Sequence, residues 1–388
     1  MMLKKSGDED VRDDIEPTSM KVLYRIPYPH FFSQHKSVGG HVAHSLGVVK
    51  GLVEEGHSVT VLAHEGKQSF EGVGANFVRV EGDETGLIRR QFWLRRFFRR
   101  SNALLDEGDF SFSYTRYSAG AGPHLWWAFH RETIPNVIEV NTFGGQQLDL
   151  GVLKWLDARV LRAASTSVVI SGSLKKWARE HLGSEVADQA LVVPNGVGRD
   201  RFRPFRRTEP GEPFRCGFAG LLKPDYGLET VIEAARLVPE DEVSFHIFGA
   251  GPAKEDLRER SEGVTNFVLE GEIPFETVPD RLQEMDCLLY TTSSTYAYQS
   301  PTKLLEYMAV ARPIVAARTP QTENLLDHGA LGHLFEMESE EALAEAVRRV
   351  KRSYDKALCR AKEAQQRARN EHDWRSRVRR IVREVSAN

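Results

Sequence analysis

The residues that could do chemistry gather in SPTKLLEYMA (300–309). Ser300 is a good helix N-cap and Pro301 suits the first helical position. The stretch therefore reads as a helix start feeding the apolar strand Ile314–Ala317. Backbone amides from Thr302 onward would face outward, a place for an anion such as a diphosphate. Glu306 follows Thr302 by four residues, on the same face and about 6 Å along the axis. That offset is close to the separation of a nucleotide's ribose hydroxyls from its distal phosphate. A carboxylate is the natural acceptor for two sugar hydroxyls. The plainer reading, a surface ion pair of Glu306 with Lys303, is worth at most about 0.5 kcal/mol and leaves the position unexplained.

Other stretches carry weaker signals. Gly39-Gly40 lies between a strand and a helix, where paired glycines let a ligand approach the backbone; a plain turn is the alternative. Lys223 in GLLKPDYG (220–227) would be a cation at a sheet's carboxyl edge, or a solvated lysine. Phe248-Gly249-Ala250-Gly251-Pro252 invites a dinucleotide reading, which fails because Lys254 stands at the third glycine position. It reads as a tight turn into a helix.

Alternating strands and helices must bring these loops together. Val22–Ile26, a long loop, a helix from His41 to Glu55, the stop signal Gly56 and the strand Val59–Ala63 form a βαβ unit. Strands at Phe112–Arg116, Asn136–Val140, Ser167–Ile170 and Ala190–Val193 extend the series. A second series runs through Phe214–Phe218, Val243–Phe248, Val264–Leu269, Cys287–Tyr290 and Ile314–Ala317. The fold expected is α/β, two doubly wound Rossmann-like domains facing one cleft. The divisions are a charged, disordered tail (1–19), an N-terminal domain (20–193), a turn-rich linker (194–213), a C-terminal domain (214–370) and a last helix (371–388) returning to the first domain.

Composition narrows the classes. A net charge of −3 does not indicate whole-protein attraction to nucleic acid. Three scattered cysteines make neither a disulfide framework nor a zinc site. No signal-peptide core and no apolar run of about 18 residues is present, so a cytoplasmic chain is expected. In RRQFWLRRFFRR (89–100) six arginines alternate with aromatics. Arg95, Arg96, Arg99 and Arg100 would face an anionic membrane or lipid-linked acceptor, or simply solvent above an aromatic core face.

Seven phrases, in order, resemble the retaining GT-B glycosyltransferases of family 4. They are PNVIEVN (135–141), VVISGSLKKWARE (168–180), VVPNGVGRDRFRP (192–204), GLLKPDYGLETVIEA (220–234), IFGAGP (247–252), VLEGEIP (268–274) and SPTKLLEYMAVARPIVAA (300–317). The resemblance implies a nucleotide-sugar donor on the C-terminal domain and an acceptor on the N-terminal one. Glu306 would hold the ribose hydroxyls. The amides of Thr302, Lys303 and Leu304, capped by Ser300, would hold the diphosphate with Lys223. Gly39 and Gly40 would approach the phosphate or the transferred sugar, and the backbone around Ile273 the base. Glu139, Asn141 and Arg116 are candidates for sugar or acceptor contacts, against the alternative of ordinary strand-end polar residues. No metal or other cofactor is implied.

The sequence departs from the family at Tyr298, where a second glutamate is common, and at Leu221 and Tyr226, where basic residues are common. Asn141 stands for a histidine and Ala311 for a helix-ending glycine. The implied activity is transfer of a hexose from a UDP- or GDP-sugar to a polysaccharide, glycolipid or small glycoside. A binding protein that kept the fold and lost turnover, or a sugar-nucleotide epimerase or hydrolase, are the rivals.

Overall fold

The structure, a computed structural model, describes residues 19–28, 40–66, 70–82, 86–294 and 302–387. Nearly all of the expected tail, Gly39, Tyr298, Ser300 and Pro301 lie outside the described residues.

Two parallel sheets form the core. The first contains β1 (Lys21–Arg25), β2 (Ser58–Ala63), β3 (Asn76–Arg79), β4 (Phe112–Arg116), β5 (Asn136–Val140), β6 (Thr166–Val169) and β7 (Ala190–Val192), in the order β3-β2-β1-β4-β5-β6-β7. The second contains β8 (Phe214–Ala219), β9 (Val243–Phe248), β10 (Phe267–Gly271), β11 (Cys287–Tyr290), β12 (Ile314–Ala317) and β13 (His333–Phe335), in the order β10-β9-β8-β11-β12-β13. Strands such as VIEV and IVAA are buried along their whole length, as parallel strands covered on both faces must be.

Helices α1 (Gly40–Glu54), α2 (Leu87–Glu107), α3 (Gly122–Phe129), α4 (Gly144–Leu148), α5 (Gly151–Ala163), α6 (Gly172–His181) and α7 (Ser184–Asp188) accompany the first sheet. Helices α8 (Leu228–Arg236), α9 (Lys254–Arg260), α10 (Val278–Gln283), α11 (Thr302–Val310), α12 (Pro320–Leu325), α13 (Glu340–Arg352) and α14 (Tyr354–Glu371) accompany the second. α15 (Trp374–Ala387) leaves α14 and packs on α1 of the first domain.

Two edge strands escape the sequence pattern: β3 reads NFVR and β13 HLF, short and only partly buried. β10 starts three residues later than expected. Val264–Phe267 makes a turn there, and the Asn266 side chain donates to the Ala235 and Val243 carbonyls.

The return of α15 depends on two glycines of α1. Trp374 lies so close that a Cβ on Gly47 would meet its indole at 2.0 Å, and one on Gly51 its carbonyl oxygen at 2.7 Å. Beside this socket the Val197 amide donates to the His372 carbonyl at 2.8 Å, joining the linker to the second chain crossing.

In each sheet the strand order reverses once, between β1 and β4 and between β8 and β11. Loops leaving the carboxyl ends of such neighbours diverge and open a crevice. The loop after β8 carries Lys223; the connection after β11 leads into α11, with Thr302, Lys303 and Glu306.

Candidate functional site

The loop after β8 is held by the turn after β9. Gly220 donates to the Phe248 carbonyl and Leu222 to that of Ala250, each at 2.9 Å, and Ala253 donates back to Leu222 at 3.1 Å. The Gly-Ala-Gly-Pro turn thus has a structural task, fixing the loop that presents half-buried Lys223.

α11 is set in phase by Tyr307, whose buried hydroxyl accepts from the Ala219 amide at the end of β8 at 3.0 Å. Lys303, one turn earlier, faces the same loop. Its ammonium lies 3.7 Å from the centre of the Phe218 ring and 4.2 Å from that of Tyr226. A Cβ on Gly220 would stand 2.5 Å from Lys303 Nζ, so the absence of a side chain there makes room for the ammonium. Burial lowers the Lys303 pKa to about 7; the nearby Lys223 charge adds to that fall and Glu306 opposes it. The Lys303 side chain therefore belongs to the β8 loop, an arrangement the sequence reading, which used its amide or paired its side chain with Glu306, did not contain.

Glu306 does not pair with Lys303. Its Oε1 accepts from Arg201 Nη1 of the linker at 3.0 Å. Thr302 likewise meets the linker, its Oγ1 accepting from Asn195 Nδ2 at 2.6 Å. Leu304 is fully buried, leaving only its backbone for a ligand, and Ile273 packs at the margin of the same apolar cluster. Gly40 begins α1 at the first domain's reversal point. Nothing in residue type or spacing marked Arg201 or Asn195 as partners of the α11 residues.

In the first domain one expectation is corrected. Glu139 is 1% exposed and bonded to Arg377 Nη2 of α15 at 2.7 Å, to Tyr114 and to His44. Burial acts to raise its pKa, but Arg377, His44 and Arg116 more than offset this and hold it well below the carboxylate range. His44 is driven down to about 4 by burial, with Glu139 opposing. Glu139 is a core counter-ion tying α15 to the sheet, not a contact for sugar or acceptor. Arg116 ends β4 at the reversal point and donates to Ser45 of α1 at 3.3 Å. Asn141 follows β5, half-buried. Its Oδ1, like Gln146 Oε1 of α4, is buried without a hydrogen-bond partner among the described residues.

On α2 the apolar side chains of Trp93, Leu94, Phe97 and Phe98 are buried, while Arg95, Arg96, Arg99 and Arg100 are exposed. Ile88, Phe92, Arg95 and Arg99, spaced by four, three and four residues, share the outer face. Ile88 is 75% and Phe92 67% exposed. Among the described residues no helix is long and apolar enough to cross a membrane.

Residues 213–352 match the family described as Glycosyl transferases group 1, and residues 38–201 match Glycosyltransferase Family 4. A phosphatidyl-myo-inositol mannosyltransferase of Mycobacterium leprae is 25% identical over 251 residues, 63% of this chain and 64% of that protein. The Mycobacterium tuberculosis protein of the same description is 23% identical over 318 residues, 80% of this chain and 82% of that one. Among solved structures, Anabaena Alr3699/HepE in complex with UDP and glucose superposes with a TM-score of 0.74 at 16% identity, covering 95% of this chain and all of that one. Sucrose-phosphate synthase from Thermosynechococcus elongatus gives the same TM-score, identity and coverage. At such identity these structures establish the shared fold.

Proposed function

The chain belongs to family 4 of the glycosyltransferases, the glycosyl transferases group 1 with the GT-B fold, and from that premise we propose that it moves a hexose from a UDP- or GDP-sugar with retention of configuration. The acceptor is a polysaccharide, a glycolipid or a small glycoside. The observation that carries this reading is the meeting of the β8 loop and α11 at the reversal point of the second sheet. There a carboxylate for ribose hydroxyls, Glu306, stands one helical turn from Lys303, and Lys223 of the β8 loop lies near that lysine; both lysines suit a diphosphate. That the related Anabaena structure is described with UDP and glucose accords with such a donor.

In this reading the sugar's bond to the β-phosphate breaks with its electron pair left on the phosphate oxygen. The acceptor oxygen forms the new bond on the same face, and its proton passes to the departing diphosphate. The protein's part is to place positive charge where the leaving group gains negative charge, and the donor is used without a metal.

The outer face of α2 favours a membrane-bound acceptor. Ile88 and Phe92 would enter the headgroup layer of an anionic inner leaflet while Arg95, Arg96, Arg99 and Arg100 met its phosphates. The mycobacterial relatives, named for a lipid acceptor, accord with a cytoplasmic enzyme working at that surface.

A melting-temperature screen with UDP- and GDP-sugars tests the donor, since a tight ligand raises the transition by mass action. Turnover of the stabilising donor with membrane extract, with and without EDTA, and the anomeric configuration of the product test the rest. Donor binding without transfer or hydrolysis would replace the enzyme reading with a binding role.

A further inference from the structure

We propose that the Lys303 side chain, paired with Lys223, is the cation that receives the departing diphosphate, supplied from α11 in place of the loop residues that carry Leu221 and Tyr226. The inference rests on the donor reading above and assigns its leaving-group contact.

The argument begins with the cost of the observed position. Lys303 is half-buried, and an ammonium partly withdrawn from water is disfavoured unless an anion bonds to it. Among the described residues no oxygen accepts from Lys303 Nζ. Its close companions are the faces of Phe218 and Tyr226; Glu306 attracts it without bonding to it, and a second ammonium, that of Lys223, repels it. Cation–π contact offsets part of that cost. A purely structural strut would be served as well by methionine, which has no charge to desolvate.

The surroundings hold the ammonium in place. Gly220 leaves the space it occupies, and Tyr307 fixes the rotation of α11. Leu221, 44% exposed, offers no charge, and the Tyr226 ring is spent as a wall of the lysine's slot. Glu306, three residues on, lies on the side of the helix that meets the linker. One helix thus carries the ribose acceptor and the phosphate cation within a turn of each other, and a nucleoside diphosphate bridges them. Lys303 contributes charge, not a proton: the acceptor's proton leaves with the diphosphate, and the ammonium stays protonated against it.

Calorimetric titration of the full chain with UDP, GDP, UMP and GMP tests this, at about pH 7.5 in two buffers of different ionisation enthalpy. Among the described residues the groups facing Lys303 are Glu306 on its own helix, Lys223 and Tyr226 from the β8 loop, and Phe218 from β8. A diphosphate arriving among them raises the Lys303 pKa from its value of about 7, so the wild type takes up part of a proton. Lys303→Met is expected to keep monophosphate affinity within about twofold, to lose about tenfold or more for the diphosphate, and to lose that proton uptake. Should the methionine variant not melt cooperatively, Lys303→Gln is read by the same criteria. Diphosphate affinity and proton uptake equal to the wild type's would overturn the assignment while leaving the donor reading intact. No binding of any of the four nucleotides by the wild type would overturn both.

Discussion

Arg201 of the linker holds Glu306 of α11 through a single carboxylate oxygen, at 3.0 Å, with both side chains about a quarter exposed. A carboxylate gripped at Oε1 keeps one orientation and can still accept through Oε2. The linker thereby orients the group assigned to the ribose.

Replacing that carboxylate should be costly and replacing its clamp cheap. Glu306→Ala is expected to weaken UDP or GDP binding by about 1.5–3 kcal/mol, the worth of charged hydrogen bonds lost. Arg201→Ala removes a partly exposed ion pair and should cost about 0–1 kcal/mol. Titration of both variants decides it; unchanged affinity in Glu306→Ala would end the ribose assignment.

Arg377→Ala strands a buried anion. Glu139 would be left with His44, Tyr114 and Arg116 around it and no guanidinium bonded to its carboxylate. The expected loss is about 3–5 kcal/mol in urea unfolding. Pairing it with Glu139→Gln should recover much of the loss, because the uncompensated charge goes with it. A single variant as stable as the wild type would contradict the network.

Lys303 should cost the ligand-free protein stability, in a particular pH window. Its folded pKa of about 7 lies below the usual 10.5, so between those values the unfolded chain binds more protons. Stability due to this group therefore rises with pH across the window. Lys303→Met should melt higher than the wild type, by roughly 2 °C or more near pH 6, with the advantage shrinking towards about pH 10. An advantage that did not change with pH would show that packing, not charge, separates the two.

Flotation with anionic vesicles separates the two uses of α2. Neutralising Arg95, Arg96, Arg99 and Arg100 should cost about 1 kcal/mol of membrane affinity for each charge. Ile88→Ser with Phe92→Ser should weaken binding even at low salt. Equal flotation of all these variants would leave the arginines as solvated surface.

Much of the fold is legible in the sequence because parallel strands buried on both faces read as apolar runs. β4, β5, β9, β11 and β12 begin and end at the residues their runs delimit. The edge strands β3 and β13 are not legible, since half-exposed strands carry polar residues that blur the run. In the candidate site, the helix carrying Thr302, Lys303 and Glu306 follows from local spacing. Who meets those residues does not. Arg201 and Asn195 reach them across about a hundred positions of chain, and the direction of the Lys303 side chain depends on Gly220 and Tyr307. Glu139 misleads for the same reason. A carboxylate on a buried strand looks functional until the distant Arg377 arrives to neutralise it.

The polypeptide passes between its domains twice, and the two passages are laced together where Val197 meets His372 and where Arg199 grips Asp373 at 2.6 Å. The second domain therefore hangs from the first by a two-ply strap. A lone tether would let it swivel in any direction, but two strands bonded side by side resist twisting and yield mainly to bending across their common plane. Bending across that plane is the motion such a strap favours over twisting.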